Sequence, residues 1–281
     1  MQSSGSPNAS GSPSGLALVT GASTGIGRAF AQIFADKGFD LVIVADEPEI
    51  HDAAAALRAE DRTVVAVEAD LAEPAEVERL HRTVREQRVP VAAAVLNAGI
   101  GAHGRFDRID LDADLKVIDL NVRSTVHLAT LLTRDMVAAG EGRLLFVASI
   151  AGKAPGPLHA TYAASKAFIH SFAEAARHEL ADTGVTVTSL LPGPTDTAFF
   201  ERADMEDTKV ARGPKDSPMD VARDGYRALM DGKDQVVAGS RVNAAMAAAS
   251  GVVPDRLATA LAARETRTQG PDRPDDEGAT R

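Results

Sequence analysis

The sequence predicts a doubly wound α/β domain, with a mostly parallel sheet and helices on both faces. Short apolar runs rich in Val, Leu and Ile alternate with amphipathic stretches of helical length. The runs lack polar alternation, as strands buried on both faces do. A glycine turn joins the first run to the first helical stretch, where an open α/β sheet places its ligand crevice.

The first run, Leu16–Val19, ends in Thr20-Gly21-Ala22-Ser23-Thr24-Gly25-Ile26-Gly27, and residues 26–37 follow as a helix. Glycines there permit a tight turn and let backbone N–H groups approach a pyrophosphate at a helix N-terminus. The spacing is Gly-x3-Gly-x-Gly, so the turn alone reads equally as an ordinary βα loop. The second run, Leu41–Val44, leads to Ala45-Asp46-Glu47-Pro48 and a helix over 49–60. Asp46 stands 19 positions beyond Gly27, close to the distance at which a carboxylate meets an adenosine ribose. Such a carboxylate accepts from ribose hydroxyls and repels a 2′-phosphate, and no Arg or Lys lies between Gly38 and Glu49. Arg28, at the start of the first helix, is the nearest arginine that could offset it.

The third run, Val64–Val67, ends at Glu68-Ala69-Asp70-Leu71 before a helix over 74–87. The fourth, Val91–Leu96, ends at Asn97-Ala98-Gly99. Each places a small polar residue at a strand end, the type that also caps helices and makes turns. A long helical stretch over 111–139 precedes the fifth run, Leu144–Val147, which leads through Ala148 to Ser149. Within a further helix over 159–182 stands Tyr162-Ala163-Ala164-Ser165-Lys166. Tyr and Lys four apart share a helix face, so the ammonium can lie near the phenol. The sixth run, Val185–Leu191, is followed by Pro192-Gly193, and Gln235–Ala238 supplies one more strand.

Composition narrows the function classes. Hydrophobic residues make up 44% and charged ones 25%, a globular balance. The net charge of -10 argues against a nucleic-acid or anionic-membrane partner, whose phosphates need a basic surface. With no cysteine, disulfides, zinc–thiolate sites and thiol nucleophiles are excluded. No transmembrane segment is expected, since no stretch approaches 18 uninterrupted apolar residues. A cytoplasmic protein follows as the expectation. Residues 1–14 read as a disordered leader, 15–240 as one domain, 241–263 as a helical C-terminal extension and 264–281 as a disordered tail.

Taken together, the TGASTGIG, NAG, Ser149 and YAASK segments, with Asn121 and Leu191-Pro192-Gly193, fall in the order of one family. The sequence resembles the short-chain dehydrogenase/reductase family over roughly Gly15 to Ala238, and the resemblance implies a Rossmann-like fold. It implies that Tyr162 is the general acid/base, with Lys166 lowering its pKa and binding the nicotinamide ribose. Ser149 would hold the substrate oxygen, and Asn121 a water linking Lys166 to solvent. Implied cofactor contacts are Gly21, Ser23, Thr24, Gly25, Ile26, Gly27, Asp46, Asp70, Leu71, Asn97, Ala98, Gly99, Pro192, Gly193 and Thr195. The reaction expected is hydride transfer between a nicotinamide cofactor and a secondary alcohol or ketone. The rival readings are an idle cofactor-sensing or regulatory protein, which would lose Tyr or Lys, and non-redox chemistry, which would degrade the glycine turn.

NAD is favoured over NADP because Asp46 and Glu47 stand where many NADP-using members carry Arg. The family's NAD-type aspartate often sits one position earlier, here Ala45, so the register matters. No metal site is expected: His170, Glu174 and His178 read as a solvated helix face, and His103 and His159 as surface-loop residues near the substrate mouth. A homodimer or homotetramer is expected from apolar residues on more than one helix face, among them Val117, Leu120, Val126, Leu128, Leu131, Phe168, Ile169 and Phe172.

Overall fold

The computed structural model describes residues 15–59, 62–239 and 255–267. Seven strands form one parallel sheet in the order β3-β2-β1-β4-β5-β6-β7. They are β1 (Leu16–Thr20), β2 (Asp40–Ala45), β3 (Val64–Glu68), β4 (Val91–Leu96), β5 (Gly142–Val147), β6 (Val185–Pro192) and β7 (Gln235–Ala238). The order reverses between β1 and β4, which opens a crevice beyond their carboxyl ends.

Both sheet faces are covered, and this explains why the strand sequences lack alternation. Along β1, Ala17 and Val19 pack into one core while Leu16 and Leu18 pack into the other. The first core holds α1 (Gly25–Asp36), α2 (Glu49–Leu57) and α9 (Pro218–Met230) through Phe30, Phe34, Ile50 and Leu229. The second holds α3 (Pro74–Glu86), α5 (Thr125–Ala139) and α6 (Ala160–Glu179) through Leu80, Leu128, Leu132 and Ile169.

Three expectations need correction. The helix expected over 49–60 stops at Leu57, because Arg58 is extended at φ -67, ψ 143. The stretch 111–139 is α4 (Leu111–Val117), a π-helical segment Ile118–Ser124 and α5, so a wider turn interrupts the ladder around Asn121. The disordered tail does not begin at Arg264: α10 (Asp255–Thr266) runs through it, and Thr266 is buried, donating its hydroxyl to the Pro157 carbonyl at 3.0 Å. The leader 1–14, residue 240 of the domain, residues 241–254 of the extension and the tail from 268 lie outside the described residues. Among the described residues no helix is long and apolar enough to cross a membrane. The remaining helices, α7 (Phe199–Arg202) and α8 (Lys209–Arg212), lie between β6 and α9.

Candidate active site

The floor of the crevice is built by side chains that tie strand ends together. Thr20 Oγ1, at the end of β1, accepts the backbone N–H groups of Asn97 and Ala98, both at 2.9 Å. Asn97 Nδ2 donates back to the carbonyls of Thr20 at 2.9 Å and Gly21 at 3.1 Å. That side-chain amide is committed to the turn itself. Gly21 and Gly25 take positive φ values of 65 and 57, and a Cβ on Gly27 would lie 2.1 Å from the Gly21 carbonyl oxygen. Only glycine fits such a turn. Thr24 caps α1 without a side-chain cap bond, so the first N–H groups of the helix face the crevice.

The lips of the crevice differ from expectation. Asp46 is exposed just past β2, whereas Glu47 turns inward. Glu47 Oε2 accepts from Ser23 Oγ at 2.7 Å, and Oε1 lies 2.6 Å from Arg202 Nη2 of α7. Arg28 is engaged elsewhere, donating to the Ala53 carbonyl of α2. Asp70 accepts from Ala72 N at 2.9 Å and pairs with Lys116 at 3.1 Å, while Leu71 is buried beside it. On the far side Thr195 Oγ1 donates to the Gly193 carbonyl at 2.9 Å, holding the turn after Pro192.

The polar quartet converges beyond β5. Ser149 caps a short 3-10 turn (Ile150–Lys153), accepting from Ala151 N at 3.1 Å, with its hydroxyl near enough to Tyr162 to favour the phenolate. Lys166 is buried and donates Nζ to the Val147 carbonyl at 2.9 Å, with Nζ 5.8 Å from the Tyr162 ring centroid. Gly99 makes this approach feasible, since a Cβ there would lie 3.2 Å from Lys166 Nζ and 3.0 Å from Asn121 Oδ1. Asn121, in the π segment, is fully used by the chain. Its Oδ1 accepts from Ile100 N at 2.9 Å, while Nδ2 donates to the Ile100 carbonyl at 2.9 Å and to Ser165 Oγ at 3.0 Å.

Burial dominates the electrostatics. It pushes the Tyr162 phenol up to about 12, opposed in part by the Ser149 hydrogen bond, and it pulls the Lys166 ammonium down to about 8. The phenol is protonated, the form that donates.

His159 also departs from the surface-loop reading. It is 7% exposed, and desolvation lowers its pKa to about 4, opposed by a bond from Nδ1–H to the Pro157 carbonyl at 3.1 Å. Its ring lies 6.1 Å from that of Tyr162, with Phe199 on Tyr162 at 5.0 Å. The preceding Leu158 is held at a positive φ of 66, its carbonyl accepting from Gly104 N at 2.7 Å. Strain of this kind on a non-glycine residue costs on the order of 1–3 kcal/mol and clusters at functional sites. His103 Nε2–H donates to the Thr266 carbonyl at 2.9 Å, so α10 closes the same rim. His170 is not on a solvated face, because Lys153 donates to its Nε2 at 2.6 Å and its Nδ1–H reaches Ser189 at 3.0 Å. Sequence reading missed Arg202 and Thr266, whose partners lie far along the chain and leave no local signal.

The chain matches the model of the short chain dehydrogenase family over residues 15–207. It is 31% identical over 216 residues to an uncharacterized oxidoreductase of Staphylococcus saprophyticus, covering 76% of this chain and 90% of the relative. A solved short-chain dehydrogenase from Sphingobium yanoikuyae in complex with NADPH superposes with a TM-score of 0.76 at 29% identity, over 92% of this chain and 99% of that one. A 3-ketoacyl-(acyl-carrier-protein) reductase from Brucella melitensis complexed with NADH has a TM-score of 0.72 at 25% identity, covering 81% and 98%.

Proposed function

Because the chain belongs to the short-chain dehydrogenase family, we propose that it transfers a hydride between a nicotinamide cofactor and a secondary alcohol or ketone, with Tyr162 as general acid/base. The observation that carries this reading is the convergence of Ser149, Tyr162 and Lys166 beyond β5, facing the glycine turn across one crevice. The residues fit a dinucleotide. The turn that tolerates no Cβ at Gly27 and the uncapped start of α1 offer backbone donors to a pyrophosphate. When bound, the nicotinamide supplies or accepts the hydride. Ser149 orients the substrate oxygen. Tyr162 holds a proton for that oxygen during reduction and takes it during oxidation. Lys166 binds ribose hydroxyls and keeps a positive charge near the phenol, and Asn121 braces the loop after β4 against α6. A panel of alcohols and ketones, offered with each cofactor, is expected to change nicotinamide absorbance. No change across the panel would favour the cofactor-sensing reading instead.

The cofactor preferred is NAD. Asp46 and Glu47 place carboxylates at the end of β2, where a 2′-phosphate would project. A carboxylate about 4 Å from a phosphate costs around 1 kcal/mol in water and several in a partly buried cleft. NAD is expected to lead by at least about tenfold in kcat/KM, since about 1.4 kcal/mol is tenfold. Asp46→Arg should move that preference toward NADP. A parent preferring NADP, or an unmoved variant, would show that Asp46 points away from the ribose.

The protein is expected to act as a homodimer or homotetramer. Among the apolar residues of the two long helical stretches, Val117, Leu120, Leu128 and Ile169 are buried within the chain, but Phe168 stays 43% exposed. Ile118 is also 43% exposed, and with Val122, Ala160 and Ala164 these residues line one groove between the π segment and α6. A contiguous apolar patch marks an interface. Light scattering at micromolar concentration should return a multiple of the 29.3 kDa chain mass; a monomer would refute it.

A further inference from the structure

We propose that Arg202 is a second determinant of cofactor choice, carried by the lid that the short helix α7 forms after β6: a phosphate ligand that Glu47 masks in the parent chain. This deepens the cofactor reading above and rests on it. Arg202 ends the four-residue helix α7, yet its Nη2 lies 2.6 Å from Glu47 Oε1 and 3.3 Å from Thr24 Oγ1. It thus spans from the lid to both the end of β2 and the glycine turn. Glu47 is itself braced, since its other oxygen accepts from Ser23 at 2.7 Å. In the proposed reading the glycine turn holds the pyrophosphate and Glu47 stands beside the place where a 2′-phosphate would project, so a guanidinium that touches both Thr24 and Glu47 lies next to that place.

Both contacts of Arg202 are made by one nitrogen, leaving Nε and Nη1 without partners among the described residues. A planar guanidinium with donors to spare matches a phosphate in two-point geometry. The other nearby arginine does not compete, because Arg28 is tied to the Ala53 carbonyl. What keeps the phosphate away is the negative charge of Glu47, which holds Nη2 and repels a second anion. The pair is part-buried, with side-chain exposures of 43% and 27%, so water screens it incompletely. Removing the carboxylate's charge while keeping its shape should release the fork. The same helix presents Phe199 to Tyr162 at 5.0 Å, so one short element carries both Arg202 and a contact to the reacting centre.

The test is calorimetric titration of NADH and NADPH into the parent, Glu47→Gln, Arg202→Gln and the double variant. Glu47→Gln should lower the ratio of the NADPH to the NADH dissociation constant by at least about tenfold, the effect of one new charge-assisted hydrogen bond to the phosphate. In the double variant the ratio should return to within about threefold of the parent's. Arg202→Gln alone should raise the ratio, because Glu47 is then an unpaired carboxylate. An improvement in NADPH binding that survives in the double variant, or a ratio unmoved by Glu47→Gln, overturns the proposal. So does a parent that already binds NADPH more tightly, which overturns the NAD preference as well but leaves the use of a nicotinamide cofactor standing. Failure of either dinucleotide to bind the parent overturns the cofactor reading itself, and this proposal with it.

Discussion

Tyr162→Phe is expected to lower turnover by about 10²-fold or more while leaving the cofactor dissociation constant within a few-fold of the parent's. The two outcomes separate because proton transfer needs the phenol oxygen, whereas the dinucleotide is held mainly by backbone groups of the glycine turn. Burial raises the Tyr162 pKa to about 12. The phenol therefore stays protonated across the neutral range, which suits carbonyl reduction. The ring itself packs between Phe199 and His159, so Phe preserves the packing and removes only the hydroxyl. Single-turnover rates with a ketone and reduced cofactor, beside a binding titration, provide the check. A variant turning over at the parent rate would assign the proton to another group.

Lys166→Met is expected to lose activity and become more stable. The ammonium is buried, and desolvation lowers its pKa from 10.5 to about 8. The sign follows from linkage. Below pH 8 both folded and unfolded chains carry the charge, and only the folded one bears its burial. Between about 8 and 10.5 the folded state sheds its proton first, so the penalty is relieved as pH rises; above that range it is gone. Met replaces the stem without the charge, which at neutral pH should recover at most about 3 kcal/mol, less about 1 for the lost bond to the Val147 carbonyl. Melting should rise by a few degrees at neutral pH, with the increase shrinking toward about pH 10. Turnover and cofactor affinity should both fall, because one ammonium serves phenol and ribose. Unchanged cofactor affinity would remove the ribose role. A variant less stable at neutral pH would mean that the Val147 bond outweighs the burial of charge.

The strands were readable because their signal is local. Six short apolar runs alternating with stretches of helical length specify a doubly wound sheet through hydrophobic pattern alone. The same holds for Gly27 and for the Tyr162–Lys166 spacing, where a turn's steric limits or a helix period decide the geometry within a few residues. Helix interruptions were less readable. The π segment Ile118–Ser124 carries no glycine or proline that would mark an interruption, so its sequence does not announce it.

Other features depend on meetings between distant residues. Just past β2 the chain bends, leaving Asp46 exposed while Glu47 meets Ser23 and Arg202, a difference of one residue that sequence could not decide. Arg202 looks like any solvated lid charge until the lid folds back over the glycine turn. His159 reads as a loop residue until the fold buries it beside Tyr162, and that desolvation lowers the imidazole's pKa to about 4. The sequence by itself determined the sheet, the crevice and the residues bordering it, because hydrophobic burial and backbone sterics act over a few neighbours. Tertiary structure decided which carboxylate faces the crevice and which cation meets it, because Coulomb forces act through space and ignore separation along the chain.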